Sequence, residues 1–224
     1  MRGKTSTIRA LIFDFDGLIL DTELPIYRSW QAVYRVHGQS LPLSAWVDFI
    51  GRAPDTFDPA KQLEALLGRP LDRERLHLRR AKHGLELIKA NPILPGVEDY
   101  IAAASRLGLK LAVASSSQRE WVIDHLTRLR LIDSFDCIRC SDDVEHAKPA
   151  PDLYTSVLTA LGISATQALA LEDSPHGVSA AKRAGLRCVV VPNTLTQGLP
   201  FDQADLRLDS LAELPLEQLL AKFG

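Results

Sequence analysis

Short apolar runs alternate along the chain with stretches in which apolar residues recur every three or four positions. Ile8 to Phe13, Leu109 to Ala114, Phe135 to Cys140, Ala168 to Leu171, Cys188 to Val191 and a last short run, Leu206 to Leu208, read as buried strands. Between them Val97, Ile101, Ala104 and Leu107 fall on one helical face, as do Val122, Leu126 and Leu129, and Leu153, Val157 and Leu161. Gly108, Gly162 and Gly185 stand where these helices should stop, because glycine accepts the left-handed conformation after a helix end. Ser210 and Glu213 offer a capping box for a last helix through Leu219 and Leu220. Strands alternating with helices predict a parallel α/β sheet rather than a sandwich or a bundle.

One region breaks the alternation. From Leu24 to Leu94 no strand pattern occurs; Ile26, Trp30, Val33 and His37, then Leu63, Leu66 and Leu67, then Leu76 and Leu87 predict three or four helices. Thr22 to Pro25 and Asn91 to Gly96 mark the edges, with Pro92, Pro95 and Gly96 supplying turn chemistry and a hinge. The chain is therefore expected to carry an all-helical insert after its first strand.

Composition narrows the class without changing that picture. With 224 residues, 46% hydrophobic and 24% charged, the chain can bury a core, and disorder, collagen-like repeats and coiled coils are poor readings. A net charge of −2 gives no basic excess for nucleic acid. That figure conceals an asymmetry: residues 24–94 hold 11 Lys or Arg against 7 Asp or Glu, and the remainder 15 against 21. Cys137, Cys140 and Cys188 form neither a disulfide framework nor a zinc set and are expected to be buried thiols. The basic start precedes an apolar stretch too short for a signal peptide or a membrane span, so the expected compartment is the cytoplasm, with a monomer as the default.

In an open α/β sheet ligands bind beyond the carboxyl ends of the strands. Those ends are polar here: Asp14-Phe15-Asp16-Gly17 after the first strand, Ser115-Ser116-Ser117 after the second, Glu172-Asp173 after the fourth, and Lys148 in the loop after the third. Carboxylates gathered in a partly buried cleft repel one another unless a cation neutralises them. The all-oxygen set of Asp14, Asp16 and Asp173, with Glu172, suits Mg²⁺. Ser115 and the backbone N–H groups after it could hold phosphate oxygens, and Lys148 would add positive charge. Together these parts suit phosphoryl transfer.

The same residues resemble the haloacid dehalogenase superfamily, and the whole chain looks like its β-phosphoglucomutase-like phosphatase subgroup. Asp14 to Glu23 is similar to the family's first motif, Val113 to Ser117 to its second, Lys148-Pro149-Ala150-Pro151-Asp152 to its third, and Leu171-Glu172-Asp173-Ser174 with Gly177 to its fourth. The resemblance implies a Rossmann-like parallel-sheet core, residues 1–23 and 95–224, and a small helical cap domain, residues 24–94. It implies that Asp14 is a nucleophile forming an aspartyl-phosphate and Asp16 the acid/base. Ser115, Ser116 and Lys148 would hold the phosphoryl group. Mg²⁺ would sit on Asp14, the Asp16 carbonyl and Asp173, with Glu172 in support. Gly51 and Arg52 resemble the position of the subgroup's specificity loop. Where β-phosphoglucomutase has a histidine on the first cap helix, this chain has Ile26, which favours a hydrolase of a small phosphorylated metabolite, such as a sugar phosphate, over a mutase.

Several residues have plainer readings. Ser116, Ser117 and Ser174 suit helix caps or loops, Asp142 and Asp143 a loop, and His176 a loop. Arg73, Arg75, Arg79, Arg80 and Lys82 suit a solvated helix face, and Tyr27, Trp30 and Tyr34 a cap core. A phospho-accepting receiver-type signalling domain would also combine acidic residues, a Ser and a Lys on a parallel sheet. The Asp14-x-Asp16 pair on one strand and the insert count against it.

Overall fold

The structure, a computed structural model, describes residues 8–47 and 58–223. Six strands, β1 (Ala10–Phe13), β2 (Lys110–Ala114), β3 (Cys137–Arg139), β4 (Ala168–Glu172), β5 (Arg187–Val190) and β6 (Leu206–Arg207), form one sheet in the order β3-β2-β1-β4-β5-β6. All neighbours are parallel, and Phe13 of β1 lies between Val113 of β2 and Leu171 of β4. The order reverses at β1, which therefore places the ends of β1, β2 and β4 side by side where open sheets bind ligands.

The sheet is covered on both faces, as a parallel sheet requires. Leu11 and Phe13 turn toward a layer containing Tyr100 and Ile101 of α5 (Val97–Arg106), Val122 and Leu126 of α6 (Arg119–Arg128) and Leu219 of α9 (Leu216–Ala221). Ala10 and Ile12 turn the other way, onto Tyr154 and Val157 of α7 (Asp152–Leu161) and Val178 and Ala181 of α8 (Pro175–Arg183). That second face of the sheet is lined by the small residues Ala10, Ala112, Ala114, Ala168 and Ala170.

Between β1 and α5 the described residues form four helices, α1 (Glu23–Val36), α2 (Ser44–Val47), α3 (Pro59–Leu67) and α4 (Arg73–Ala90). The starts of α3 and α4 follow from their sequence: the Asp58 carboxylate accepts from the Lys61 N–H and that of Asp72 from the Arg75 N–H. Tyr27, Trp30, Tyr34, Leu41, Trp46, Ala60 and Leu63 form an apolar cluster of their own, joined by Leu195 from the sheet-bearing part. Each large apolar side chain fully buried there contributes about 1.5–3 kcal/mol. Tyr27 donates to the Leu41 carbonyl and Tyr34 to that of Pro59, so their hydroxyls are satisfied within the cluster. The two segments that lead into and out of the helices run together: Asn91 Nδ2 donates to the Asp21 carbonyl at 2.7 Å and the Leu94 N–H to that of Ile19 at 3.0 Å.

The expected strands and helices are present, with β3 shorter than its apolar run. Gly108, Gly162 and Gly185 are left-handed after their helices, and all three cysteines are buried. Two local expectations change. Ser210 caps a 3-10 turn, Leu211–Glu213, by accepting from the Ala212 N–H, and α9 starts only after Pro215, which cannot continue that turn's hydrogen bonding. His176 lies in the first turn of α8, not in a loop, because Ser174 caps the helix and Pro175 opens it. No described helix is long and apolar enough to cross a membrane.

Candidate active site

Asp14 is the first residue past β1, and its N–H continues the ladder to the Leu171 carbonyl at 2.9 Å. It is 7% exposed. Burial pushes its carboxyl up to about 7, with Glu172 and Asp16 adding to the rise and Lys148 opposing it. Lys148, itself buried, contacts the Asp14 carboxylate directly and reaches Glu172 Oε1 at 2.7 Å. Burial alone would weaken the ammonium; the two carboxylates outweigh it and hold the lysine charged. The Lys148–Pro149 peptide is cis.

Asp14, Glu172 and Asp173 bring carboxylate oxygens within 4.8 Å of one another, all three side chains buried. Burial, then Asp14 and Glu172, drives the Asp173 carboxyl well above the usual range. One lysine cannot neutralise three buried carboxylates, so the oxygen-only donor set fits a hard divalent cation. Within the trio Glu172 is the most committed, accepting also from the Tyr154 hydroxyl and the Asp173 N–H. A methyl group at Gly177 would overlap its carboxylate, which explains why the first turn of α8 carries a glycine there.

The Asp16 carboxylate is not one of the three whose oxygens lie within 4.8 Å of one another; its own oxygens are taken up by side-chain donors. Oδ1 accepts from Thr22 Oγ1 at 2.6 Å and from the Trp121 indole N–H at 3.0 Å. Oδ2 accepts from Ser117 Oγ at 2.7 Å and from Ser115 Oγ at 3.3 Å. The tight turn that carries it is closed by the Gly17 N–H to the Leu20 carbonyl. Nearby, the partly buried Glu23 of α1 has its carboxyl raised to about 8 by burial and by Asp16, Asp14 and Asp21.

The sequence thus leads to Asp14, Asp16, Ser115, Ser116, Lys148, Glu172 and Asp173, and the structure gathers them at adjoining strand ends. Gly51 and Arg52 lie outside the described residues. Ser174 is a helix cap, and Asp143 accepts from the Cys140 N–H, as plain readings of both would have it. Arg73, Arg75, Arg79 and Lys82 are exposed, with Arg73 paired to Asp58 and Glu64, while Arg80 lies over the Trp30 ring. Ser117, expected to be a helix cap or loop residue, donates to the Asp16 carboxylate. Trp121 and Tyr154 were passed over because each sits on a helix face that reads as core. Asn193, which donates to Asp173 Oδ2 at 2.7 Å, follows β5 and was open to the same strand-end reading as the others.

A parallel sheet covered on both faces gathers a buried Asp–Lys pair, a second Asp two residues on and an acidic trio, and the family and relatives that share this arrangement mark the chain as a phosphoric monoester hydrolase. The chain belongs to the haloacid dehalogenase-like hydrolase family, whose model matches residues 11–191. YhcW of Bacillus subtilis (strain 168), provisionally designated a phosphatase, is 47% identical over 213 residues, covering 95% of this chain and 96% of that one. Hexitol phosphatase B of Escherichia coli (strain K12) is 32% identical over 223 residues, covering 95% and 97%. Among solved structures, a point mutant of CbbY of Rhodobacter sphaeroides in complex with xylulose-(1,5)bisphosphate is similar with a TM-score of 0.71 and 30% identity, covering 92% of this chain and 96% of that one.

Proposed function

We propose that the chain is a Mg²⁺-dependent phosphatase that hydrolyses a small phosphorylated carbohydrate through an aspartyl-phosphate on Asp14. The observation that carries this reading is the buried Asp14 in contact with Lys148, beside two further buried carboxylates. The names of the relatives, a hexitol phosphatase and a protein solved with a sugar bisphosphate, supply the substrate class. Asp14, Asp173 and the Asp16 carbonyl, supported by Glu172, would hold Mg²⁺. When bound, the cation supplies the positive charge that lets Asp14 act as an anion and that offsets the charge of the phosphoryl oxygens.

In the first half-reaction an Asp14 oxygen bonds to phosphorus in line as the ester P–O bond breaks, and Asp16, entering protonated, gives its proton to the leaving oxygen. In the second, water attacks phosphorus, Asp16 takes the water proton, and the Asp14–phosphorus bond breaks to release inorganic phosphate. Lys148, Ser115 and the Ser116 N–H would hold the phosphoryl oxygens. Residues 24–94 would serve as a cap domain over a core of residues 1–23 and 95–224, excluding bulk water, with the Gly51-Arg52 segment setting specificity. Ile26 packs between the two apolar clusters and offers no proton-carrying group, which supports hydrolysis over phosphoryl transfer to a second sugar.

The test is a phosphate-release screen over sugar, hexitol and glycolytic phosphates, with and without Mg²⁺, on the wild-type chain and Asp14→Asn. Release by the wild type alone, lost with EDTA, is expected. Near-normal release by Asp14→Asn would overturn the aspartyl-phosphate route, and faster transfer to a hexose monophosphate than to water would replace phosphatase by mutase.

A further inference from the structure

The loop after β5 is polar in sequence, Pro192-Asn193-Thr194, yet Leu195 and Thr196 are 6% and 0% exposed. Asn193 organises it. Its Oδ1 accepts from the Leu195 N–H at 2.9 Å and the Thr196 N–H at 3.2 Å, its own N–H donates to Thr196 Oγ1 at 2.9 Å, and its carbonyl accepts from the Thr196 and Gln197 N–H groups. Two backbone donors on Oδ1 fix the orientation of the amide, so Nδ2 must point the other way. There it donates to Asp173 Oδ2 at 2.7 Å and to the Gly17 carbonyl at 3.4 Å. The fit is close: Gly17 is left-handed, with φ 86°, and any side chain on it would overlap both the Asn193 amide and the Asp173 carboxylate.

Two residues along, the same turn drives Leu195 into the apolar cluster of the helical insert, the one that holds Tyr27, Trp30, Tyr34, Leu41 and Trp46. One short, internally bonded turn therefore touches an acidic-trio carboxylate with one side chain and the insert's core with another. A neutral amide suits the first task. It bonds one oxygen of Asp173, Oδ2, and brings no charge to compete with a cation.

We propose that the Asn193–Thr196 turn couples the seating of the helical insert to the metal-binding carboxylate: Leu195 registers the insert, and Asn193 holds Asp173 in its binding orientation when Leu195 is in place. Both are positioning residues, and the proposal rests on the Mg²⁺-dependent reading above.

The experiment is calorimetric Mg²⁺ titration of the wild type, Asn193→Ala, Leu195→Ala, the double variant and Thr194→Ala, an exposed neighbour in the same turn. Asn193→Ala and Leu195→Ala should each weaken Mg²⁺ binding roughly 10- to 100-fold. The double variant should be about as weak as the weaker single one, because both act through Asp173. Thr194→Ala should bind as the wild type does. In turnover, high Mg²⁺ should restore kcat to both single variants, whereas loss of packing alone would lower kcat at every Mg²⁺ concentration. If Leu195→Ala fails to fold, Leu195→Val takes its place with a smaller loss of the same kind. Unchanged affinity in Asn193→Ala or in the folded Leu195 variant overturns the coupling, as does a double variant whose loss is the product of the single ones. A wild type that binds no Mg²⁺ overturns the phosphatase reading, and the coupling with it.

Discussion

Asp16 accepts hydrogen bonds from four side chains drawn from three parts of the chain: Thr22 just before the insert, Ser115 and Ser117 after β2, and Trp121 on α6. For a group proposed to give and then take a proton, such a cradle fixes which oxygen faces the substrate. Trp121 is the least expected member. Its indole ring also packs edge-on against His125, with ring centroids 4.4 Å apart, so its orientation is set by core packing and not by the loop. Trp121→Phe keeps a ring and removes only the N–H. Once Asp16 has given up its proton it is a charged acceptor, to which a hydrogen bond contributes about 1.5–3 kcal/mol, and three other donors remain, so the lower end applies. The expected outcome is a kcat about 10-fold lower with KM nearly unchanged, read by steady-state kinetics on the best substrate of the screen. An unchanged kcat would show that the other three donors hold Asp16 unaided.

Elements meet at points where side chains do not fit, and Gly96 is one. It opens α5 in the left-handed region, φ 85°, and a methyl there would overlap the backbone of Leu211 and Ala212 in the turn before α9. Gly96→Ala combines a left-handed penalty of about 1–2 kcal/mol with that overlap, so a loss of about 2 kcal/mol or more is expected. In a chain of this length that lowers Tm by at least about 4 °C, which differential scanning calorimetry would register. The sequence showed Gly96 only as turn chemistry, because the partner it abuts lies more than a hundred residues on. The same distinction separates what was legible from what was not. Continuous apolar runs and period-3.6 apolar patterns are local, so the sheet, its helices and the insert could be read directly. Strand-end polarity is also local, and it delivered Asp14, Asp16, Ser115, Lys148, Glu172 and Asp173. Tyr154 on Glu172, Trp121 on Asp16 and Leu195 in the insert's core are contacts between an apolar helix or loop position and a remote element, and nothing in their own neighbourhoods distinguishes them from ordinary core. Ser210 misled for a related reason: a capping box specifies a turn start, and only Pro215 decides how long the turn runs.

At the scale of the whole molecule, two apolar cores meet across a polar seam. The insert is held to the sheet by the paired crossing segments, by Ile26 between the clusters, and by Leu195, while the seam itself concentrates buried acid. Without a cation that acid opposes folding. An unfolded Asp titrates near 3.9, whereas folded Asp14 titrates at about 7, so between these values the folded state binds more protons than the unfolded one. Its contribution to stability is therefore complete at acid pH and is lost as pH rises through that window; Asp173, raised by the same burial and repulsion, acts in the same direction. In EDTA, Asp14→Asn should remove part of a fall in Tm seen in the wild type between pH 5 and pH 8. Mg²⁺ should do the same by a different route, favouring the charged carboxylates in the folded state. At a concentration 100 times its Kd the cation adds about 2.7 kcal/mol, or roughly 5–10 °C in Tm for a chain of this size. Asp173→Asn separates the two effects. Lacking a buried acid, it should melt at or above the wild type in EDTA at pH 8, yet gain little from Mg²⁺. A variant that melts well below the wild type in EDTA would mean that Asp173 serves the fold through its hydrogen bond to Asn193 more than it strains the seam through its charge. A variant that kept the full Mg²⁺ shift would place the cation somewhere other than the acidic trio.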